Sequence, residues 1–91
     1  MALARIQQRM AGLTNWALEG NAIMKEFQFE NFIDSIEFVN KVAEIAVARN
    51  HHPSMLIEYT SVRLTLTTHD EGGLSPKDFD MAEAIDKIGK E

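Results

Sequence analysis

Residues 31–53 read NFIDSIEFVNKVAEIAVARNHHP, and this stretch decides how the rest of the chain is arranged. It holds the longest helical pattern in the sequence. Asn31 is suited to cap the start of a helix, with Asp34 at the third helical position. Asn50 can adopt the left-handed conformation that ends a helix, and Pro53 prevents its resumption. The stretch therefore predicts one long helix that ends just before Asn50.

Apolar residues recur along this helix at the spacing of a single face. The predicted inward stripe comprises Phe32, Ile36, Val39, Ala43 and Ala46, flanked by Ile33 and Val47. The opposite side carries Glu37, Lys41 and Glu44. We therefore expect the stripe to pack on the rest of the fold and the charged side to face solvent.

Alternating patterns on both sides of the helix predict two pairs of strands. Before it, residues 16–18 and 22–29 flank Gly20-Asn21, a two-residue hairpin signal. After it, residues 55–60 and 62–67 alternate apolar and polar side chains. Adjacent strands of this kind favour antiparallel pairing.

Two shorter helices complete the predicted order. Residues 2–12 form a weakly amphipathic pattern, and Ser75-Pro76 is typical of the first positions of a helix. In this last helix the residues expected to face inward are Phe79, Ala82, Ile85 and Ile88. The order α-β-β-α-β-β-α predicts an α+β fold in which three helices pack on one face of a four-stranded antiparallel sheet.

The composition limits the possible functions. With 91 residues, 45% hydrophobic and 25% charged, the chain fits one globular domain spanning residues 1–91. It has no cysteine, which excludes disulfides, thiolate metal sites and a thiol nucleophile. A net charge of −5 argues against a broad nucleic-acid-binding surface.

No stretch approaches the length of an apolar membrane span, and the first residues lack the apolar run of a signal peptide. We therefore expect a cytoplasmic protein without membrane contact. A half-apolar sheet face or edge left exposed on so small a domain also predicts a homo-oligomer.

All three histidines lie at two places: His51-His52 after the long helix, and His69 after the last strand pattern. If that strand extends far enough, its alternation places His69 on the polar side. Three interpretations are open: ordinary loop histidines, a metal site completed by Asp70 or Asp78, and acid–base catalysis near neutral pH. Adjacent side chains diverge, which disfavours the metal site.

Three other residues have simple structural explanations. Asp78 follows Ser75 by three positions, as the acidic member of a capping box does. Tyr59 and Trp16 are predicted to be packing residues.

The histidines belong to a larger spaced set. His51-His52-Pro53 is followed after five residues by Tyr59, after nine more by His69 and after eight more by Asp78. This set resembles the signature of the pterin-4a-carbinolamine dehydratases. Residues 27–32 and 65–74 resemble the family as well, and the resemblance extends over residues 13–89.

The resemblance implies a function: dehydration of a 4a-hydroxytetrahydropterin to the quinonoid dihydropterin, without a metal or organic cofactor. This step recycles the tetrahydropterin used by aromatic amino-acid hydroxylases. By resemblance, the catalytic residues are His51, His52 and His69: His51 and His69 transfer protons, and His52 helps to bind and orient the ring. The implied substrate-binding residues are His51, His52, Pro53, Thr68, His69, Asp70, Glu71 and Asp78. A homodimer or homotetramer is also implied.

This sequence departs from the family pattern at three positions. Val47 stands where an acidic residue is usual, Met55 where many members have an aromatic residue, and Lys77 where arginine is common. The first two leave the orientation of the substrate and the rate open. Two other functions also stay open: a non-catalytic dimerisation or regulatory partner, as some relatives are, and a hydrolase or lyase acting on another small heterocycle.

Overall fold

The computed structural model describes residues 1–88; residues 89–91, the last of the predicted domain, lie outside the described residues. The helices are Leu3–Ala11 (α1), Phe32–Arg49 (α2) and Pro76–Ile88 (α3). The strands are Ala17–Glu19 (β1), Ala22–Gln28 (β2), Ser54–Glu58 (β3) and Ser61–Leu66 (β4). A 3-10 turn, His69–Glu71, separates β4 from α3. The predicted α+β class and element order are confirmed.

The four strands form one antiparallel sheet in the order β1-β2-β4-β3. Each predicted hairpin is present, and the two hairpins join where β2 pairs with β4. The register places Ile23 opposite Leu66 and Phe27 opposite Val62, so these side chains share one face. β3 is left as an edge strand, and β4 lies in the interior of the sheet.

The core fills the space between this face and the helices. From the sheet, Ile23, Val62, Leu64 and Leu66 are fully buried. The predicted inward residues of α3 are confirmed: Phe79, Ala82 and Ile85 are fully buried, and Ile88 packs at the margin of the core. Asp78 is also fully buried, although its side chain is ionisable.

The predicted inward stripe of α2 is wrong in part. The buried residues of α2 are Ser35, Phe38, Val42 and Ala46, whereas Phe32, Ile33 and Val47 are exposed. Apolar residues occupy more than half of the circumference of this helix, so periodicity alone does not choose the buried face. Burial of Ser35 is tolerated because its hydroxyl donates to the carbonyl oxygen of Asn31, at 3.3 Å. The predicted cap is confirmed: the Asn31 side chain accepts from the Asp34 N–H.

Polar contacts, most of them partly buried, hold the N-terminal segment to the rest of the fold. Trp16 is 7% exposed, and its indole N–H donates to both carboxylate oxygens of Asp86, at 3.1 and 3.0 Å. The Lys25 ammonium group, which lies on the helix-facing side of β2, donates to Asp86 at 2.9 Å and to the Thr14 carbonyl at 3.0 Å. The packing role predicted for Trp16 is therefore confirmed.

Tyr59 does not pack as predicted. It lies in the turn between β3 and β4, where its side chain is 73% exposed and its backbone has φ 54°. A two-residue hairpin turn needs a left-handed residue to match the strand twist, and Tyr59 takes that position. The turn therefore places this aromatic ring at the surface.

Several large apolar side chains remain exposed on α2 and at the β3 edge. Ile33 is 64% exposed and Val47 73% exposed on α2, while Leu56 and Ile57 of β3 are 47% and 38% exposed. None of the helices within residues 1–88 has the length and apolarity needed to cross a bilayer.

Candidate active site

The antiparallel sheet brings the two histidine segments together. β3 begins beside the end of β4, with Ser54 opposite Thr65. His51 and His52 come just before β3, and His69 comes just after β4. Both segments therefore emerge at the same end of the sheet.

The end of α2 determines where His51 leaves the helix. Asn50 has φ 50° and ψ 43°, the left-handed conformation that its sequence position predicted. The His51 N–H donates to the Ala46 carbonyl, and the Asn50 N–H to the Val47 carbonyl. These two bonds form a Schellman motif, which reverses the chain direction at once. His51 is thereby turned towards α3.

His51 meets a buried carboxylate at the start of α3. Its Nε2 lies 2.6 Å from Oδ1 of Asp78. The His51 side chain is 12% exposed and that of Asp78 is fully buried. A buried carboxylate needs hydrogen-bond partners, and Asp78 has three. Its Oδ2 accepts from the Thr68 hydroxyl at 2.8 Å and from the Ser75 N–H at 3.0 Å.

With Asp78 as a carboxylate, this contact assigns the hydrogen of the neutral His51 ring to one nitrogen. An ionised carboxylate only accepts hydrogen bonds, so the His51 Nε2 carries the hydrogen that lies towards Asp78. The other nitrogen, Nδ1, is then free to accept a proton from a substrate or, once protonated, to donate one. The same arrangement holds the imidazole in one orientation.

Asp78 combines the two roles that the sequence left open. It accepts the Ser75 N–H, which is half of the predicted capping box. The other half is not formed: the Asp78 N–H donates to the backbone carbonyl of Ser75 at 3.1 Å, and the Ser75 hydroxyl bonds to the Thr68 hydroxyl at 2.7 Å. The capping carboxylate therefore also serves His51.

The loop that carries His69 differs from the strand prediction. β4 ends at Leu66, and His69 begins the 3-10 turn rather than extending the strand. The Thr68 N–H donates to the Gly73 carbonyl at 3.0 Å, and the Glu71 and Gly73 N–H groups donate back to the Thr68 carbonyl. These bonds fold the chain back on itself, so strand alternation does not decide the direction of His69, which is exposed.

An open cleft of about 290 Å³ lies between the two segments. Its lining residues are Asn50, His51, His52, Thr67, Thr68, His69, Asp70 and Lys77. All three histidines are thus brought to one cleft. Of the other predicted binding residues, Thr68 and Asp70 line it, Asp78 lies behind His51, and Pro53 and Glu71 are not among the lining residues. The role of each remains a prediction.

The cleft also contains residues that the sequence did not point to as binding residues: Asn50, Thr67 and Lys77. The sequence identified Asn50 only as the residue that ends α2. Its left-handed backbone conformation also places it among the residues that line the cleft. Thr67 has its hydroxyl engaged, since it donates to the Asn21 carbonyl at 2.6 Å. Within residues 1–88, no three His, Asp or Glu side chains are grouped so as to hold a metal ion.

Comparison with known proteins agrees with this geometry. The family model described as pterin 4 alpha carbinolamine dehydratase matches residues 1–88, nearly the whole chain. The chain belongs to this family. In this chain, the three histidines of the set noted in the sequence meet at one cleft.

Curated relatives extend over nearly the same length. A protein of Trichormus variabilis is 47% identical over 85 residues, covering 93% of this chain and 91% of its own. One of Roseiflexus sp. is 49% identical over 85 residues, with the same coverage. Both carry the name "Putative pterin-4-alpha-carbinolamine dehydratase". These names identify the family and assign a reaction to the relatives only.

Two solved structures share the fold. A transcriptional coactivator/pterin dehydratase from Brucella melitensis has a TM-score of 0.92 and 29% identity, covering 97% of this chain and 96% of that one. A pterin dehydratase-like protein identified as a RuBisCO assembly factor has a TM-score of 0.73 and 20% identity, covering 85% and 92%. The second likeness concerns the fold alone.

Proposed function

We propose that this family member dehydrates a 4a-hydroxytetrahydropterin to the quinonoid dihydropterin and so supports tetrahydropterin recycling. The observation that carries the proposal is the contact of His51 with the buried Asp78, at 2.6 Å, beside a cleft that also holds His52 and His69. A buried carboxylate that holds an imidazole in one orientation at the edge of a cleft is an arrangement typical of acid–base sites.

The reaction needs one acid and one base. The C4a–O bond breaks as the hydroxyl oxygen takes a proton, and it leaves as water. N5 loses its proton, and the electrons of that N–H bond form the new C4a–N5 double bond. The proton that the base gains balances the proton that the acid gives, so neither a redox partner nor a cofactor is required.

Histidines on two segments suit this chemistry. In the proposal, His51 uses Nδ1 and His69 acts from the other segment, and they exchange roles for the two faces of C4a. His52 binds and orients the ring, with the chain around Thr68 and Asp70 on the other side. The neutral forms accept protons and the protonated forms donate them near neutral pH.

The test is stopped-flow measurement of 4a-hydroxytetrahydropterin dehydration by the purified protein. We expect His51→Ala and His69→Ala each to lower kcat by about a hundredfold or more, because each removes one proton-transfer group. We expect His52→Ala to raise KM more than it lowers kcat, since its role is binding. An inert wild-type protein contradicts the proposed function.

Arg49→Ala is a matched control for the end of α2. Arg49 is exposed, lies two residues before His51 and is not among the residues lining the histidine cleft. Its kcat should stay close to that of the wild type. A loss equal to that of His51→Ala would point to damage at the helix end rather than to lost acid–base chemistry.

The second candidate function is a non-catalytic dimerisation or regulatory partner that uses the same fold, and the exposed apolar residues of α2 and β3 favour it. Ile33 and Val47 are exposed on α2, and neither is among the residues that line the histidine cleft. We propose that such surfaces join copies of the chain into a homodimer or homotetramer. Cleft variants would leave this role intact, whereas surface variants would abolish it. The cytoplasmic location stays a prediction.

A further inference from the structure

Thr68 occupies a special place between the two histidine segments. Its side chain is buried, with 6% of the residue exposed, and its hydroxyl lies between the Asp78 carboxylate and the Ser75 hydroxyl. Its backbone anchors the loop that carries His69 through bonds to Gly73 in both directions. Thr68 therefore contacts Asp78, which binds His51, and also holds the turn that carries His69.

The direction of the hydrogen bonds around Thr68 can be deduced. Asp78 as a carboxylate only accepts, so the single Thr68 hydroxyl hydrogen points to its Oδ2. The 2.7 Å bond to Ser75 must then use the Ser75 hydroxyl as the donor. The result is a one-way chain in which Ser75 donates to Thr68 and Thr68 donates to Asp78.

This chain determines which oxygen of Asp78 serves His51. Oδ2 accepts from Thr68 and from the Ser75 N–H, at 2.8 and 3.0 Å. Oδ1 bonds to His51 at 2.6 Å. Holding Oδ2 from two sides fixes the plane of the carboxylate, and the fixed plane aims Oδ1 at the His51 Nε2.

We propose that Thr68 is a positioning residue for both histidines: its hydroxyl sets the orientation and tautomer of His51 through Asp78, while its backbone sets the start of the His69 turn. Ser75 is the outer member of the same chain. The inference rests on the proposed dehydratase function for its effect on the rate, but its effect on His51 is independent of any activity.

The decisive measurement is the tautomer of neutral His51, from ¹⁵N–¹H long-range NMR spectra. In the wild type we expect the hydrogen on Nε2. Thr68→Val keeps the side-chain shape but removes the hydroxyl, and we expect it to give a mixture of His51 tautomers. Thr68→Ser restores a hydroxyl and should restore the wild-type pattern, which a purely structural role for the methyl group would not do.

Kinetics give the second measurement. We expect kcat to fall between about tenfold and a hundredfold in Thr68→Val, with KM changed little, because a misaligned group slows proton transfer. Thr68→Ser should recover most of the loss. Ser75→Ala removes only the outer donor, so its effect should be smaller than that of Thr68→Val and in the same direction.

Thr65→Val is the matched control. It makes the same chemical change on β4, on the sheet face opposite the core, and Thr65 is not among the residues lining the cleft. Its His51 tautomer and kcat should match those of the wild type. An unchanged His51 tautomer in Thr68→Val overturns the proposal, whatever the activity does.

If Thr68→Val does not fold, the His51 tautomer of the wild type and the kcat of Ser75→Ala still test the proposal. A neutral His51 with its hydrogen on Nδ1 in the wild type overturns the proposed chain of bonds. An inert wild type with the expected tautomers would contradict the dehydratase function and leave the positioning of His51 by Thr68 supported.

Discussion

Lys25 places a charge on the core-facing side of β2, between the buried Ile23 and the half-buried Phe27. Its ammonium group is neutralised by Asp86 at 2.9 Å, and it lies 4.9 Å from the centroid of the Phe27 ring. The Lys25 and Asp86 side chains are 15% and 19% exposed, so water screens this pair only weakly. The pair therefore couples β2 to α3 more strongly than a surface ion pair would.

A double-mutant cycle tests this coupling. We expect Asp86→Ala to lower the free energy of unfolding by about 2 kcal/mol, because it leaves the Lys25 charge and the Trp16 N–H without their acceptor. Lys25→Met should cost less. The double variant should recover part of the loss, since it no longer buries an unpaired ammonium group. The measurement is urea denaturation followed by circular dichroism.

The Arg63–Glu26 pair on the opposite sheet face is the control. Its nitrogen and oxygen are 3.8 Å apart, and both side chains are nearly half exposed. We expect Glu26→Ala to change the free energy of unfolding by less than about 1 kcal/mol. If Asp86→Ala had an equally small effect, the Lys25 pair would be no more than a surface contact.

Single residues also show what the sequence could and could not predict. Asn50 was predictable as a helix end because its type and the following proline act locally. For Asp78, capping was predictable from Ser75 three residues away, and a place at the site followed from the family resemblance. Its contact with His51 was not predictable, because it joins residues 27 apart in the chain. Lys25 gave no signal at all, since its partner lies 61 residues away.

At the scale of elements, the existence and order of helices and strands followed from periodicity, but the buried face of α2 did not. Apolar residues occupy more than half of the circumference of α2, and only tertiary packing selects Phe38 and Val42 as buried residues. The ring centroid of Phe38, for example, lies 4.7 Å from that of Phe27 in β2. Strand alternation likewise failed at His69, because backbone bonds from Thr68 to Gly73 override it.

The hairpin between β3 and β4 carries local backbone strain. Tyr59 has φ 54°, a conformation that bulky residues seldom adopt, and its side chain is 73% exposed and makes little packing contribution. We expect Tyr59→Asn to raise the free energy of unfolding by up to about 1 kcal/mol, because asparagine tolerates this conformation. Thermal unfolding is the measurement.

Tyr59→Phe is the control for that prediction, since phenylalanine is as disfavoured at positive φ as tyrosine is. It should leave the melting temperature unchanged. A clear loss of stability in Tyr59→Asn would mean that the exposed ring contributes through a contact that outweighs the strain.

For the molecule as a whole, the exposed apolar residues of α2 bear on whether the chain self-associates. Ile33 and Val47 lie on one side of the helix, 64% and 73% exposed. Apolar side chains this exposed are stabilised when another surface covers them, and we propose a second copy of the chain as that surface, as the family resemblance implies. We expect the wild type to be a dimer or tetramer in size-exclusion chromatography with light scattering.

Ile33→Glu and Val47→Glu should each reduce the oligomer to a smaller species with unchanged circular dichroism, because charge disfavours burial in an apolar interface. Glu37→Gln on the same helix is the control and should keep the wild-type mass. A wild type that is monomeric at high micromolar concentration contradicts the prediction.

Trp16 has a practical consequence for anyone who works with this protein. It is the single tryptophan of the chain, and its indole is buried with its N–H facing the carboxylate of Asp86. Its fluorescence therefore depends on whether the N-terminal segment is packed against the rest of the fold. Because Trp16 is not among the residues lining the histidine cleft, direct contact with a bound ring will not alter that emission. A change in this emission will therefore report on the packing of the N-terminal segment and not on contact with a ring in the histidine cleft.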